Sequence, residues 1–148
     1  MASAKVVYAS LTGNTEEVAE LLGEFLTEAG VDAEVLSVDD TQASVFADVD
    51  VAIVATYTYG DGDLPDEIVE FYDELAGVNL DGKVYGVVGT GDTSYELYCK
   101  SVDDFEEQFE KTGAVKGAAS VKIENDADSD DREKLEVFAK SIAATLNV

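Results

Sequence analysis

Residues 10–17, which read SLTGNTEE, have the composition of a loop that holds a phosphate group. The segment leads into a predicted helix, whose free N–H groups and dipole favour an anion. Gly13 permits a tight turn before that helix. The neutral hydrogen-bond donors of the segment are the hydroxyls of Ser10, Thr12 and Thr15 and the amide of Asn14. Phosphate binding therefore does not require a lysine here, and neither Lys nor Arg occurs from residue 6 to residue 82.

The same segment has a purely structural interpretation as the capped start of a helix. Asn14 or Thr15 would be the N-cap, and Glu16 and Glu17 would lie in the first turn, where the dipole favours carboxylates. The two interpretations are compatible, because a cap and an anion use the same N–H groups.

Two later segments have a similar composition, rich in Gly, Ser, Thr, Asp and Tyr. Residues 56–65 read TYTYGDGDLP, and residues 90–99 read TGDTSYELYC.

The chain has no His, which removes the commonest general base and metal ligand, and its single cysteine, Cys99, excludes a disulfide within the chain. A CxxC redox pair and a cysteine metal cluster within the chain are likewise excluded, and we expect neither catalytic residues nor a metal in the site.

Strong negative charge limits the partners of this chain of 148 residues. The formal net charge is -24, and residues 6–82 hold 19 acidic residues and no basic ones. This charge argues against nucleic acid and anionic membranes, whose recognition needs clustered Lys and Arg. It favours a basic protein partner that is attracted electrostatically, although solubility or adaptation to high salt would also explain it.

The pattern of apolar residues predicts alternating strands and helices within one domain, residues 1–148. The predicted strands cover residues 5–10, 33–38, 50–56, 83–90 and 119–123. The predicted helices cover residues 15–29, 41–47 as a short helix, 65–75, 100–112 and a last segment that ends near residue 146. No apolar segment is long enough for a signal peptide or a membrane span, so we expect a cytoplasmic protein.

This alternation predicts an α/β fold, a doubly wound three-layer sandwich around a parallel sheet. The first, third and fourth strands are continuously apolar and should be central, whereas the second and fifth alternate and should lie at the edges. The five-stranded order 2-1-3-4-5 satisfies both conditions with right-handed crossovers. The three polar loops, which follow the central strands, should then meet where the strand order reverses, the usual ligand site of such sheets.

With these three loops in this order, the chain resembles a short-chain flavodoxin over essentially its whole length. The matching segments are SLTGNTEE, TYTYGDGDLPDE and GTGDTSYELYCK. Flavodoxins are themselves a standard example of ligand binding at the reversal of strand order. The resemblance implies non-covalent binding of flavin mononucleotide (FMN) and a role in electron transfer.

The resemblance also implies which residues bind FMN. Ser10, Leu11, Thr12, Gly13, Asn14 and Thr15 would surround the phosphate. Thr56, Tyr57, Thr58, Tyr59, Gly60 and Asp61 would line the isoalloxazine ring, together with Thr90, Gly91, Asp92, Tyr95 and Cys99. Tyr95 would cover the outer face of the ring, and either Tyr59 or Tyr57 the inner face, since the chain lacks the tryptophan that many family members carry there. The Gly60–Asp61 peptide would face flavin N5, and Asp92 would meet the pyrimidine edge.

The function implied by this resemblance is that of a low-potential one-electron carrier. It would cycle between the semiquinone and hydroquinone states and pass electrons from a reductase to an acceptor enzyme, both with basic faces. We expect a monomer that is not itself an enzyme. The alternative is an FMN-dependent NAD(P)H oxidoreductase of the quinone-reductase type, which would need an open face of the ring for its substrate.

Overall fold

A parallel β-sheet covered by helices on both faces forms the centre of the protein. The structure is a computed structural model that describes residues 2–10, 13–58, 64–91, 99–124 and 127–146. Its strands are β1 (Ser3–Tyr8), β2 (Asp32–Ser37), β3 (Val51–Tyr57), β4 (Val84–Gly91), β5 (Val115–Lys116) and β6 (Val121–Glu124). Its α-helices are α1 (Asn14–Glu28), α2 (Asp66–Leu75), α3 (Lys100–Glu110) and α4 (Ser129–Thr145).

The strand order confirms the fold predicted from the sequence. The order is β2-β1-β3-β4, and β5 and β6 both pair with the outer side of β4, with every pair parallel. The central strands β3 and β4 bury every residue except the last one of each, whereas no residue of the edge strand β2 is fully buried. Continuous apolar strands thus occupy the middle of the sheet, because only there do helices cover both faces.

The fifth position of the sheet is split into two short strands, where the sequence predicts one strand over residues 119–123. The break lies at Gly117, whose carbonyl accepts hydrogen bonds from Ser141 Oγ at 2.8 Å and Thr145 Oγ1 at 3.2 Å, both on α4. A methyl group at Gly117 would lie 2.3 Å from Val84 Cγ1 and 2.7 Å from Ile142 Cδ1. Gly117 N still donates to Tyr85 O of β4 at 2.9 Å, so Gly117 is packed between β4 and α4, and the chain leaves β4 only after it and pairs again from Val121.

The short helix predicted over residues 41–47 is instead a pair of 3-10 segments, Val38–Asp40 and Ala43–Asp48. Their backbone bonds include one from Val45 N to Gln42 O, which spans three residues rather than four. A 3-10 turn is the usual form of such short connecting helices.

Two apolar layers hold the helices onto the sheet. One layer joins the strands to α1 and α4, and the other joins them to α2, α3 and the 3-10 segments. None of the helices in the described part of the chain combines the length and apolar character that crossing a membrane requires. Nor do the described residues contain a group of three or more His, Cys, Asp or Glu side chains arranged to hold a metal ion.

Gly89 allows three elements to approach one another just below the ends of the central strands. A methyl group on Gly89 would lie 2.4 Å from Val102 Cγ2 of α3 and 2.9 Å from the backbone oxygen of Thr56 on β3. Both distances are well inside van der Waals contact. The position of α3 relative to the sheet therefore depends on the absence of a side chain here.

We predict that Gly89→Ala lowers the free energy of unfolding by about 1–3 kcal/mol, because the added methyl group overpacks a rigid region. Gly77→Ala is the matched control, since the nearest atom to its methyl group would be Glu74 O at 3.6 Å, an ordinary contact. Urea unfolding of both variants without added flavin measures the difference. Equal stability of the two variants would contradict the prediction.

Candidate functional site

The carboxyl ends of the three central strands lie side by side and open into the three polar loops. Tyr8 at the end of β1 is in register with Ala55 of β3, and Tyr57 at the end of β3 is in register with Thr90 of β4. The predicted site residues that the structure describes are Ser10, Gly13, Asn14, Thr15, Thr56, Tyr57, Thr58, Thr90, Gly91 and Cys99. Leu11, Thr12, Tyr59, Gly60, Asp61, Asp92 and Tyr95 lie outside the described residues.

Helix α1 begins at this edge without a side-chain cap. Its N-cap residue is Gly13, with φ 94° and no side-chain hydrogen bond, so the expectation that Asn14 or Thr15 is the cap is wrong. The chain turns in the left-handed region at Gly13, and Asn14 is already helical. The loop is closed by a hydrogen bond from Gly13 N to Ser10 Oγ at 3.1 Å.

The start of α1 has the properties of an anion site. Gly13 is exposed, and a methyl group on it would meet no atom of the described residues within 4 Å. The first N–H groups of a helix have no acceptor within the helix, and the dipole favours negative charge there. The described residues therefore fit the phosphate end of FMN, with neutral donors in place of a lysine.

A buried hydroxyl pair joins α1 to β4. Thr15 Oγ1 and Thr90 Oγ1 are 2.8 Å apart although the residues are 75 positions apart in the chain. Thr15 is 2% exposed and Thr90 is 4% exposed, so water does not compete for the bond. Of the three predicted loops, the first and the third are thereby connected behind the site.

A second bond connects the loop after β3 to the start of α3. Ser101 N donates to Thr58 Oγ1 at 3.0 Å, so Thr58 serves as an acceptor at the helix N-terminus from 43 residues away. Cys99, the residue that precedes α3, is fully buried and has a left-handed backbone with φ 52°. This burial agrees with a packing role for Cys99; its contact with the ring stays a prediction.

Tyr57 is held toward α2 by its phenol group. Tyr57 OH donates to Glu67 Oε1 at 2.7 Å, and Glu67 lies in the first turn of α2. The assignment of Tyr59 or Tyr57 to the inner face of the ring stays a prediction. Sequence reasoning missed Glu67 and Ser101 as partners of site residues, because no local spacing marks a bond between two different elements.

The electrostatic surroundings of the site are negative. Burial raises the pKa of the Tyr8 phenol, and the carboxylates of Glu16, Glu20 and Asp40 raise it further. Lys100, the base nearest in sequence to the loop of residues 90–99, lies 2.6 Å from Asp104, and this hydrogen bond raises the pKa of Lys100.

Ion pairs are distributed unevenly over the described residues. Among the described acids of residues 6–82, Glu34 lies 3.9 Å from Lys5. The other pairs of described residues lie beyond residue 99 and are Lys100–Asp104, Lys116–Glu106, Lys122–Asp103, Lys134–Asp131 and Lys140–Glu136. The half of the chain that contributes the first two loops therefore keeps most of its negative charge uncompensated.

We predict that Thr58→Val lowers the free energy of unfolding of the flavin-free protein by about 0.5–2 kcal/mol, the usual effect of losing a cap acceptor. Thr58→Ser retains the hydroxyl and should stay within about 0.5 kcal/mol of the parent. Urea unfolding tests both variants. If valine and serine have the same effect, the bond to Ser101 N does not stabilise α3.

Comparison with known proteins agrees with this arrangement. A model of the flavodoxin family matches residues 6–138. The probable flavodoxin 2 of Bacillus subtilis is 39% identical over 146 residues, which are 97% of this chain and 95% of that protein. A solved flavodoxin structure from Streptococcus pneumonia TIGR4 has a TM-score of 0.95 at 53% identity, covering 97% of this chain and 99% of that one.

Part of a larger flavoprotein is also similar. The NADPH sulfite reductase flavoprotein alpha-component of Photobacterium profundum is 37% identical over 112 residues. The match covers 74% of this chain but 18% of that protein. A unit similar to this chain therefore occurs within a longer redox polypeptide.

Proposed function

The chain belongs to the flavodoxin family, and from this membership we propose that it is a low-potential one-electron carrier with non-covalently bound FMN. FMN, when bound, would supply the one-electron redox chemistry between its semiquinone and hydroquinone states, and the protein would bind and tune it. The observation that carries the proposal is the uncapped start of α1, open to solvent at Gly13 and next to the ends of β3 and β4.

The loop between β1 and α1 holds the phosphate in this proposal. Its donors are neutral, so they bind an anion without cancelling the negative charge of the surrounding protein. The residues assigned to the phosphate are Ser10, Leu11, Thr12, Gly13, Asn14 and Thr15. Glu16 and Glu17, in the first turn of α1, are consistent with this assignment. The helix dipole that stabilises their carboxylates also attracts a phosphate.

The loops after β3 and β4 hold the isoalloxazine ring. Tyr95 covers the outer face, and Tyr59 or Tyr57 covers the inner face, by offset stacking. The carbonyl of Gly60 would accept a hydrogen bond from flavin N5 when N5 carries a proton, since glycine tolerates the change of conformation that the Gly60–Asp61 peptide needs. The pyrimidine edge meets Asp92 and the neighbouring loop residues. Thr56, Thr58, Thr90, Gly91 and Cys99 complete the walls of the site.

The partners in this proposal are a reductase and an acceptor enzyme with basic surfaces. Residues 6–82 contain no base, so the edge at which the flavin ring is exposed carries a negative field. The similarity to part of a sulfite reductase flavoprotein supports a redox protein as partner, because that relative carries the similar unit within a redox enzyme.

We predict that electron transfer to a basic cytochrome slows by about tenfold or more when the salt concentration rises from 0.1 M to 1 M. The Debye length falls from about 10 Å to about 3 Å over this range, and electrostatic steering accelerates association by about tenfold or more. Stopped-flow absorbance at limiting protein concentration measures the association rate.

The matched variants for this test are Asp66→Asn and Asp32→Asn. Both side chains are exposed. Asp66 begins α2, near the carboxyl ends of the strands, whereas Asp32 begins β2, at the amino ends of the strands. Only Asp66→Asn should weaken the salt dependence. A rate independent of salt would show that the negative charge serves solubility or salt adaptation instead.

We predict that Tyr95→Ala raises the semiquinone/hydroquinone potential by roughly 20–65 mV. The electron-rich ring of Tyr95 opposes a negatively charged flavin stacked on it, and a stacked aromatic pair is worth about 0.5–1.5 kcal/mol. Tyr95→Phe keeps a ring and is the control, which should shift the potential by less than half as much. Spectroelectrochemical titration of FMN-loaded protein measures both shifts.

The same titration tests the proposed function as a whole. A parent protein that passes from oxidised to fully reduced without a detectable semiquinone would argue against a one-electron carrier. Oxidation of NADPH by the FMN-loaded protein without a reductase would support the alternative, an FMN-dependent NAD(P)H oxidoreductase. A lowered potential in Tyr95→Ala would show that Tyr95 does not act as described.

A further inference from the structure

The hydrogen bond between the hydroxyls of Thr15 and Thr90 has two possible directions. Each threonine hydroxyl carries one hydrogen, and only one of the two hydrogens can lie between the oxygens 2.8 Å apart. Either Thr15 donates to Thr90, or Thr90 donates to Thr15. In the second arrangement the hydrogen of Thr15 is directed elsewhere, and the bond that Thr15 accepts makes it a stronger donor.

The position of Thr15 determines what that hydrogen meets. Thr15 is the second residue of α1, and Gly13, two residues before it, is exposed at the helix N-terminus. Thr90 is the next-to-last residue of β4, in register with Tyr57 of β3 and Ile123 of β6. Thr90 thus lies within the sheet behind Thr15, away from the exposed helix N-terminus, and its position is set by strands on both sides.

We propose that Thr90 is a positioning residue for phosphate binding: its hydroxyl donates to Thr15 Oγ1 and so directs the Thr15 hydrogen toward an anion at the start of α1. This role rests on the proposed binding of FMN and differs from contact with the pyrimidine edge, which the resemblance implies for the loop that Thr90 begins. The arrangement also explains why a polar pair occupies a buried place. A valine at either position would fill the same volume but would remove the chain of donors.

The donor chain acts on the phosphate and not on the ring. The ring would be lined by the backbone from Thr90 onward, whereas the Thr90 hydroxyl bonds to Thr15. Removing that hydroxyl should therefore weaken FMN binding and leave riboflavin, which lacks the phosphate, almost unaffected. A merely structural role for Thr90 would weaken both ligands alike. The ratio of the two dissociation constants separates these cases without any measurement of electron transfer.

The test measures the dissociation constants of FMN and riboflavin by quenching of flavin fluorescence with flavin-free protein. Thr90→Val should reduce the preference for FMN by about tenfold, the value of one hydrogen bond to a charged group. Thr90→Ser, which keeps the hydroxyl, should retain most of the preference. Thr90→Ala removes the hydroxyl with a smaller side chain and replaces Thr90→Val if that variant does not fold.

A double-mutant cycle shows whether Thr90 acts through Thr15. In the Thr15→Val background, Thr90→Val should change the preference by no more than about twofold, because the donor that it orients is already absent. Thr112→Val is the control for loss of a buried hydroxyl, since Thr112 is also 4% exposed and bonds to Phe109 O at the end of α3. The Thr112→Val variant should prefer FMN over riboflavin as strongly as the parent does.

Three outcomes are decisive. Equal weakening of both ligands by Thr90→Val, or independent effects of the two substitutions, would overturn the role of Thr90 and leave the phosphate site in place. A parent protein that binds FMN and riboflavin equally would overturn the phosphate site itself, and the role of Thr90 with it. A reduced preference that serine restores and that disappears in the Thr15→Val background supports the proposal.

Discussion

The parallel pairing of β1, β3 and β4 is the constraint on which the candidate site depends. Parallel strands all end at the same edge of a sheet, so the three loops that follow them begin within a few residues of register. The strand order reverses between β1 and β3, and this reversal separates the helices onto opposite faces. The convergence of the three loops at that edge is therefore a consequence of topology, and the loop residues determine what the edge binds.

Side-chain hydrogen bonds add a second level of order to this edge. The pairing of strands aligns the starts of the loops but does not fix the helices that follow them. Thr15 and Thr90 join α1 to β4, and Thr58 joins the loop after β3 to Ser101 at the start of α3. Each bond links segments that are distant in the chain, so the loops share a common frame.

Negative charge and anion binding coexist here because they use different chemical groups. The carboxylates lie on exposed side chains, where water and salt reduce their repulsion. The proposed phosphate donors are backbone N–H groups and hydroxyls, which attract an anion at short range without carrying net charge. Five positive side chains beyond residue 99 are meanwhile paired with acids of α3 or α4, so their charge is balanced within that half of the chain.

The sequence by itself determined the α/β class, the strand order, the central strands and the loops that contain the site, because apolar periodicity and Gly, Ser and Thr clusters are local signals. Only the tertiary structure decided that the fifth position of the sheet is split into two strands, that Thr58 meets Ser101 and that Thr15 meets Thr90. These features arise from contacts between elements distant in the chain. A hydroxyl's partner or a backbone's turn toward a neighbouring helix leaves no local pattern, since packing in three dimensions selects it.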